Sequence, residues 1–112
     1  LILTSGMGDF SDFSDCVAMA QELLNMMNWV GIYQLVGFHP NHQFAATEPD
    51  DAENYTNRSP YPMVHILRES SVTRAVAGIE DVTLITERNT ETLNQLGVEA
   101  LMKRWRDCSI ET

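Results

Sequence analysis

The sequence predicts an α+β fold, built from a small βαβ core, a long ordered loop and several C-terminal helices. Three observations predict it: two apolar, β-rich runs flank a segment of helical periodicity, a polar stretch without periodicity follows, and the last third again repeats apolar residues at helical spacing. The chain has 112 residues, of which 44% are apolar or aromatic. That size and composition are typical of one globular domain, so residues 1–112 are expected to form a single domain.

The first half of the chain predicts the βαβ unit. Residues 1–4 have the pattern of the end of a buried strand, which stops at a Ser-Gly-Met-Gly turn. Asp9 or Ser11 then caps a helix of about four turns. Residues 32–38 are apolar at nearly every position, which is typical of a strand covered on both faces. The apolar stripe of the helix consists of Phe13, Cys16, Val17, Ala20, Leu24 and Met27.

The two strands of this unit are expected to be parallel neighbours, because a βαβ crossover is right-handed and joins parallel strands. A sheet of two strands is marginally stable by itself. We therefore expect it to be completed by a missing N-terminal half of a longer protein or by a partner chain. The sequence opens with Leu-Ile-Leu rather than Met, which indicates the C-terminal part of a longer sequence.

The second half predicts a loop followed by helices. Residues 39–60 show no periodicity, and ordered loops of this length usually carry function or make contacts. Ser59 is predicted to cap a helix with Pro60 and Pro62 in its first turn, where a missing N–H costs little. The apolar face of that helix consists of Met63, Ile66 and Leu67. Further helices are expected from about Ser71 to Gly78, from about Thr86 to Leu96, and from Val98 through Trp105.

The net charge excludes two classes of partner. The chain has 7 Lys and Arg residues against 16 Asp and Glu residues, a net charge of −9. Nucleic acids and anionic membranes are both bound by clustered cations, so neither partner is expected. Acidic residues concentrate on the first helix and in the loop, which predicts a basic surface on a partner that faces this helix. No apolar run approaches the roughly 18 residues of a membrane span, so we expect a soluble chain without membrane insertion.

The two cysteines indicate a reduced compartment. Cys16 and Cys108 lie near opposite ends of the sequence and lack the spacing of a metal site. We expect both to be small core residues rather than partners in a disulfide.

The polar stretch of residues 54–62 contains the first candidate site. Arg58, together with free N–H groups of the predicted helix start, is suited to holding a carboxylate or phosphate. At helical spacing, His65 and Arg68 would extend the same pocket. The alternative is structural, since so polar a loop must satisfy its own backbone groups, with Arg58 tied to nearby acids. The candidate residues for binding a small anionic ligand are Asn57, Arg58, Ser59, His65 and Arg68.

A metal site is the second candidate. His39 and His42, followed by Asp50 and Asp51, offer imidazoles and carboxylates that suit zinc or another divalent ion. The alternative is that His39, beside Pro40 at a strand end, hydrogen-bonds to the backbone and shapes the turn. No cofactor is predicted, and no spacing suggests a nucleophile with its base.

Two long motifs carry a family resemblance. They are Gly31-Ile-Tyr-Gln-Leu-Val-Gly-Phe-His-Pro and Asn54-Tyr-Thr-Asn-Arg-Ser-Pro-Tyr-Pro. With these motifs the chain resembles the domain-of-unknown-function 1415 family of bacteria and plastid-bearing eukaryotes, over nearly its whole length. The resemblance implies a longer protein, whose N-terminal half with a Cys-Pro-Phe-Ala motif has no counterpart here. It supplies no catalytic residues, and the family usually has Tyr at the position of His42.

Two functions of different class are expected. The first is a non-catalytic accessory or assembly subunit of a larger complex, bound to other protein subunits. Given the resemblance, its setting is the plastid stroma, in association with the photosynthetic machinery, or the cytoplasm of a bacterium. The second is a small-ligand or anion-binding protein or enzyme that uses the pocket around Arg58, Ser59, His65 and Arg68. The absence of a catalytic constellation from the sequence favours the first.

Overall fold

A computed structural model describes residues 1–108 and confirms the α+β class. Its elements follow the order helix, strand, 3-10 helix, strand and three helices. They are α1 (Phe10–Met26), β1 (Tyr33–Phe38), the 3-10 helix (Ala52–Asn57), β2 (Met63–Arg68), α2 (Glu69–Val76), α3 (Thr83–Leu96) and α4 (Val98–Asp107).

The sheet is antiparallel, so the prediction of adjacent parallel strands is wrong. β1 pairs with β2, with Tyr33 opposite Arg68 and Phe38 opposite Met63. Ile2 forms an antiparallel bridge to Met63, flanked by hydrogen bonds of 2.9 Å from Val64 N to the carbonyl of Leu1 and from Leu3 N to that of Pro62. The N-terminal segment and β1 are therefore parallel to each other, but β2 lies between them.

β2 replaces the helix predicted after Ser59, and that prediction is also wrong. The run Met63–Arg68 is a strand whose backbone pairs with β1 along its full length. Two features suit a strand here: the run contains β-branched Val64 and Ile66, and Pro62 disfavours helical backbone at Tyr61, just ahead of the run. The helix that follows begins only at Glu69, whose N–H donates to the carbonyl of Ile32 at 2.9 Å.

α1 forms as its sequence predicts and packs against β1. The Asp9 side chain caps it, accepting a hydrogen bond from Asp12 N at 3.0 Å. After the helix, Asn28 and Gly31 adopt positive φ angles of 62° and 85°, which turn the chain toward β1. Phe13 and Leu24 are the buried residues of α1.

The three predicted C-terminal helices are confirmed, and their bounds lie close to the predicted ones. α3 and α4 pack on the 3-10 helix, where Ala52 and Leu101 are buried. Gly97 separates the two helices with a φ of 81°, a conformation that suits glycine. The prediction that the cysteines lie in the core is wrong, because Cys16 and Cys108 are both exposed; they are not joined by a disulfide.

The chain exposes more surface than a compact protein of its mass. Its accessible area is 8204 Å². A folded monomer of 12.6 kDa is expected to expose about 6,200 Å², roughly a quarter less. The radius of gyration is 15.5 Å, against about 13 Å for a compact chain of this length. Part of this surface is apolar, since large side chains such as Met19 and Met26 are exposed. Among residues 1–108, no helix has the length and apolarity to cross a membrane.

Candidate functional site

The polar loop between the strands is organised around Asn54, a side chain with no exposed surface. Its Oδ1 accepts hydrogen bonds from Phe44 N at 2.8 Å and Thr47 Oγ1 at 3.1 Å. Its Nδ2 donates to the carbonyl of Glu48 at 2.8 Å. The side-chain amide of Asn54 thus supplies hydrogen-bond partners to backbone groups that the irregular loop would otherwise leave unpaired.

His39 is also completely buried, and both of its ring nitrogens are used. Asn41 N donates to Nδ1 at 3.0 Å, so the proton lies on Nε2, which donates to the carbonyl of Met7 at 2.9 Å. The ring packs beside Phe10 and Phe13, with centroids 5.3 and 5.1 Å away. His39 therefore ties the loop to the segment before α1, as the structural alternative expects.

His42 also packs beside Phe10, with ring centroids 5.3 Å apart, and contacts Phe44 edge to face with centroids 4.5 Å apart. Burial lowers the pKa of His42, and the positive charge of Arg58 and the proximity of His39 lower it further. Its Nε2 is buried without a hydrogen-bond partner among residues 1–108. Its surroundings thus favour the neutral form of the imidazole.

The predicted metal site at His39 and His42 stays a prediction. Within residues 1–108, no group of three or more His, Cys, Asp and Glu side chains is placed to hold a metal. A metal on this pair would have to displace one of the two hydrogen bonds of His39.

Arg58 fastens two distant parts of the loop together. Its Nε donates to the carbonyl of His42 at 3.0 Å, and its Nη2 donates to that of Pro49 at 2.7 Å. The guanidinium lies over the Tyr55 ring, 4.8 Å from the centroid. Arg58 is therefore tied to backbone carbonyls, rather than to the acids that the structural alternative names. These bonds fix the position of the guanidinium within the loop.

The other residues of the predicted anion pocket do not converge on Arg58. Asn57 Nδ2 donates to the carbonyl of Gly37 at 3.3 Å, and buried Ser59 donates from Oγ to the carbonyl of Tyr61. His65 and Arg68 are exposed and three residues apart on β2. In a strand this spacing directs side chains to opposite faces, whereas in the predicted helix it would have joined them.

Ser59 and His65 do share a groove on the face of the sheet that looks away from α1. Side chains alternate along β1, and Gly37 faces α1, so Val36 and Phe38 look the other way. The groove has a volume of about 450 Å³. Its lining residues, which include none from a described helix, are Leu1, Ile2, Phe38, Ser59, Met63, Val64 and His65.

A second exposed apolar surface, the α1 stripe, consists of Met19, Leu23, Met26 and, just after the helix, Val30. Their exposed fractions are 73%, 54%, 82% and 62%. Positions three, four and seven residues apart lie along one side of a helix. This side of α1 is next to the side that carries buried Phe13 and Leu24. The apolar surface of α1 therefore extends beyond the part that packs against β1.

A cleft between the 3-10 helix and α4 contains residues that the sequence did not bring together. Tyr55, Arg58 and Trp105 line two adjoining cavities, with Arg106 in one and Arg104 in the other. The basic residues of α4 are visible in the sequence, but nothing in its pattern indicates that they meet Arg58.

The fold and these surfaces define a small α+β protein with a half-covered sheet and a densely hydrogen-bonded loop. The chain belongs to the family described as "Protein of unknown function (DUF1415)", whose sequence model matches residues 1–103. The match covers both motifs that carry the resemblance. No curated protein and no solved structure shows significant similarity to the chain.

Proposed function

We propose that the protein is a non-catalytic accessory or assembly subunit that binds another protein through the α1 stripe. The observation that carries the proposal is the exposure of Met19, Leu23 and Met26, which sets apolar side chains at helical spacing on the surface. Apolar residues three, four and seven apart are the anchors by which a helix occupies a groove of a partner. Unbranched methionine side chains adapt well to such a groove.

The negative charge of α1 indicates a further property of the partner. Asp9, Asp12 and Asp15 lie at the N-terminal end of α1, and the turn of the helix places Asp12 and Asp15 on the side of the α1 stripe. The partner's groove is then apolar where it receives Met19 and Met26, and basic where it meets these aspartates. Such a charge pair speeds association and selects the partner more than it adds affinity.

The polar loop supports a structural rather than a catalytic role for His39 and for the motif of residues 54–62. Asn54 and His39 use their side-chain polar atoms, and Arg58 uses its Nε and Nη2, on groups within the chain. A catalytic group needs a free polar atom near its substrate. The motif therefore stabilises the loop and presents a fixed surface.

The test is the native size of the protein in cells that express it under its own promoter. We expect the wild-type protein to migrate in a complex larger than its own mass, and Met19→Glu with Met26→Glu to migrate alone. Ala18→Glu with Asn25→Glu is the matched control, since it adds two charges to an exposed side of α1 away from the stripe. A wild-type protein that migrates at its own mass, or a control that dissociates equally, would contradict the proposal.

We also propose a cellular setting for this subunit. In a plastid-bearing eukaryote the protein acts in the stroma and associates with photosystem complexes; in a bacterium it acts in the cytoplasm. Fractionation of plastids tests this, and we expect the protein to comigrate with photosystem particles. Its recovery in fractions free of photosystems would contradict the association.

A further inference from the structure

The cleft between the 3-10 helix and α4 combines three guanidinium groups with one indole ring. Tyr55, Arg58 and Trp105 form its shared wall. The cavity on one side, about 220 Å³, is completed by Arg106 and Asn41. The cavity on the other side, about 190 Å³, includes Arg104. In a chain with a net charge of −9, three of the seven basic residues gather here.

These arginines have no carboxylate partner in the described part of the chain. The ion pair found there joins Lys103 and Asp107, at 2.8 Å. Arg104 and Arg106 precede and follow Trp105 on α4, and the turn of the helix directs them to different sides: Arg106 lines one cavity and Arg104 the other. Each of them thus shares a cavity with Arg58, and an anion bound in that cavity would offset the like charges of the pair.

Arg58 is held in place before any ligand binds. Its Nε and Nη2 bond to the carbonyls of His42 and Pro49, and its plane rests on Tyr55. Among residues 1–108, its Nη1 group donates to no partner. A guanidinium with fixed orientation and free N–H groups binds an oxyanion with little loss of side-chain entropy.

Trp105 supplies an independent observation. Its Nε1 is buried and has no hydrogen-bond partner among residues 1–108. An unpaired buried donor is costly and is rare in folded proteins, so a ligand atom is a natural partner for it. A small shift of the ring would let an oxygen of an anion bound beside Arg58 and Arg106 accept from this donor as well.

We propose that this cleft is a binding site for a small oxyanion ligand, with a carboxylate or phosphate held by Arg58, Arg106 and the indole N–H of Trp105. The size of the cavity limits the ligand. A volume of 220 Å³ is roughly that of seven water molecules in the liquid, which suits a phosphate or a dicarboxylate rather than a nucleotide. The site is separate from the α1 stripe, so it does not depend on the proposed function.

The experiment is a titration followed by nitrogen-edited NMR, with inorganic phosphate in one series and succinate in the other, at constant ionic strength. We expect a saturable shift of the indole N–H signal of Trp105, while that of Trp29 stays in place. Saturation by phosphate alone identifies a phosphoryl ligand, by succinate alone a carboxylate, and both results support the site. Shifts that do not saturate with either anion overturn it.

Arg106→Gln tests the arginine that takes no part in fastening the loop. We expect it to weaken binding about tenfold, since a charge-assisted hydrogen bond is worth about 1.4 kcal/mol or more. Arg88→Gln, an identical change at an exposed position of α3, is the control and should bind as the wild type does. Equal weakening by both variants would show a response to net charge only, and would overturn the proposal.

Discussion

Gly37 of β1 lies directly against the ring of Phe13. A Cβ atom at Gly37 would be 3.1 Å from Cε1 and 3.4 Å from Cζ of Phe13. This contact allows α1 to approach the sheet closely, and it explains a glycine within an otherwise apolar strand.

Gly37→Ala is expected to destabilise the fold by about 1–3 kcal/mol, because the Phe13 ring must shift within its packed site. Chemical denaturation measures the change. Gly8→Ala is the control, since a Cβ there meets nothing within 4 Å, and it should be near neutral. The double variant, Gly37→Ala with Phe13→Leu, should lose less stability than the sum of the losses of the two single variants, because the smaller leucine side chain removes the clash. Additive effects would mean that the contact is not close.

Asn54→Asp is expected to lower the free energy of unfolding by about 2–4 kcal/mol. The substitution keeps the shape of the side chain but replaces the Nδ2 donor, which lies 2.8 Å from the carbonyl of Glu48, with an oxygen. Two acceptors then face each other in a buried site, and a carboxylate is left there without a cation. Asn94→Asp, on the exposed side of α3, should change stability by less than about 0.5 kcal/mol. Similar losses in both variants would contradict the role of Asn54.

His42→Phe is expected to reduce the loss of stability on acidification. Since burial, Arg58 and His39 lower the pKa of His42 in the folded state, the unfolded state binds the proton more readily. The contribution of neutral His42 to the free energy of unfolding is complete above the ordinary pKa of 6.5. It decreases as the pH falls below 6.5, until the lower pKa of the folded state is reached. Phenylalanine keeps the contacts to Phe10 and Phe44 but cannot bind a proton. Denaturation curves at pH 7 and pH 5 measure the difference, and an unchanged difference in the variant would contradict the assignment.

Asp9→Ala is expected to cost about 1 kcal/mol, because it removes the side chain that accepts the hydrogen bond from Asp12 N. Asp15→Ala changes the net charge equally on the exposed surface of the same helix and serves as the control. Asp9→Asn should keep most of the stability, since its amide oxygen can accept the same bond. If Asp9→Asn lost as much as Asp9→Ala, the charge rather than the cap would be the cause.

The helices could be predicted from the sequence because their signals are local. Phe13, Val17 and Leu24 recur at helical spacing, Asp9 stands at the cap position, and Gly97 marks the end of α3. Each signal depends on residues a few positions apart, and none requires knowledge of the tertiary structure.

β2 and the cleft could not be predicted in the same way. The run Met63–Arg68 is stabilised by pairing with β1, thirty residues earlier in the chain. Ser59 and Pro60 ahead of it have the residue types that usually begin a helix, so the local pattern predicted the wrong element. Likewise, Arg58 meets Trp105 only because α3 and α4 pack on the 3-10 helix. Both depend on contacts distant in sequence, to which local spacing is insensitive.

The position of β2 between the N-terminal segment and β1 affects how the protein folds. α1 and β1 can associate early, since they are close in sequence, but β2 must then enter between two segments that are already present. The bond from Val64 N to the Leu1 carbonyl closes a loop of more than sixty residues. Contacts of such long range slow folding, and strand edges stay open until they form. We therefore expect the edges of the sheet to stay open to aggregation until this long-range pairing has formed.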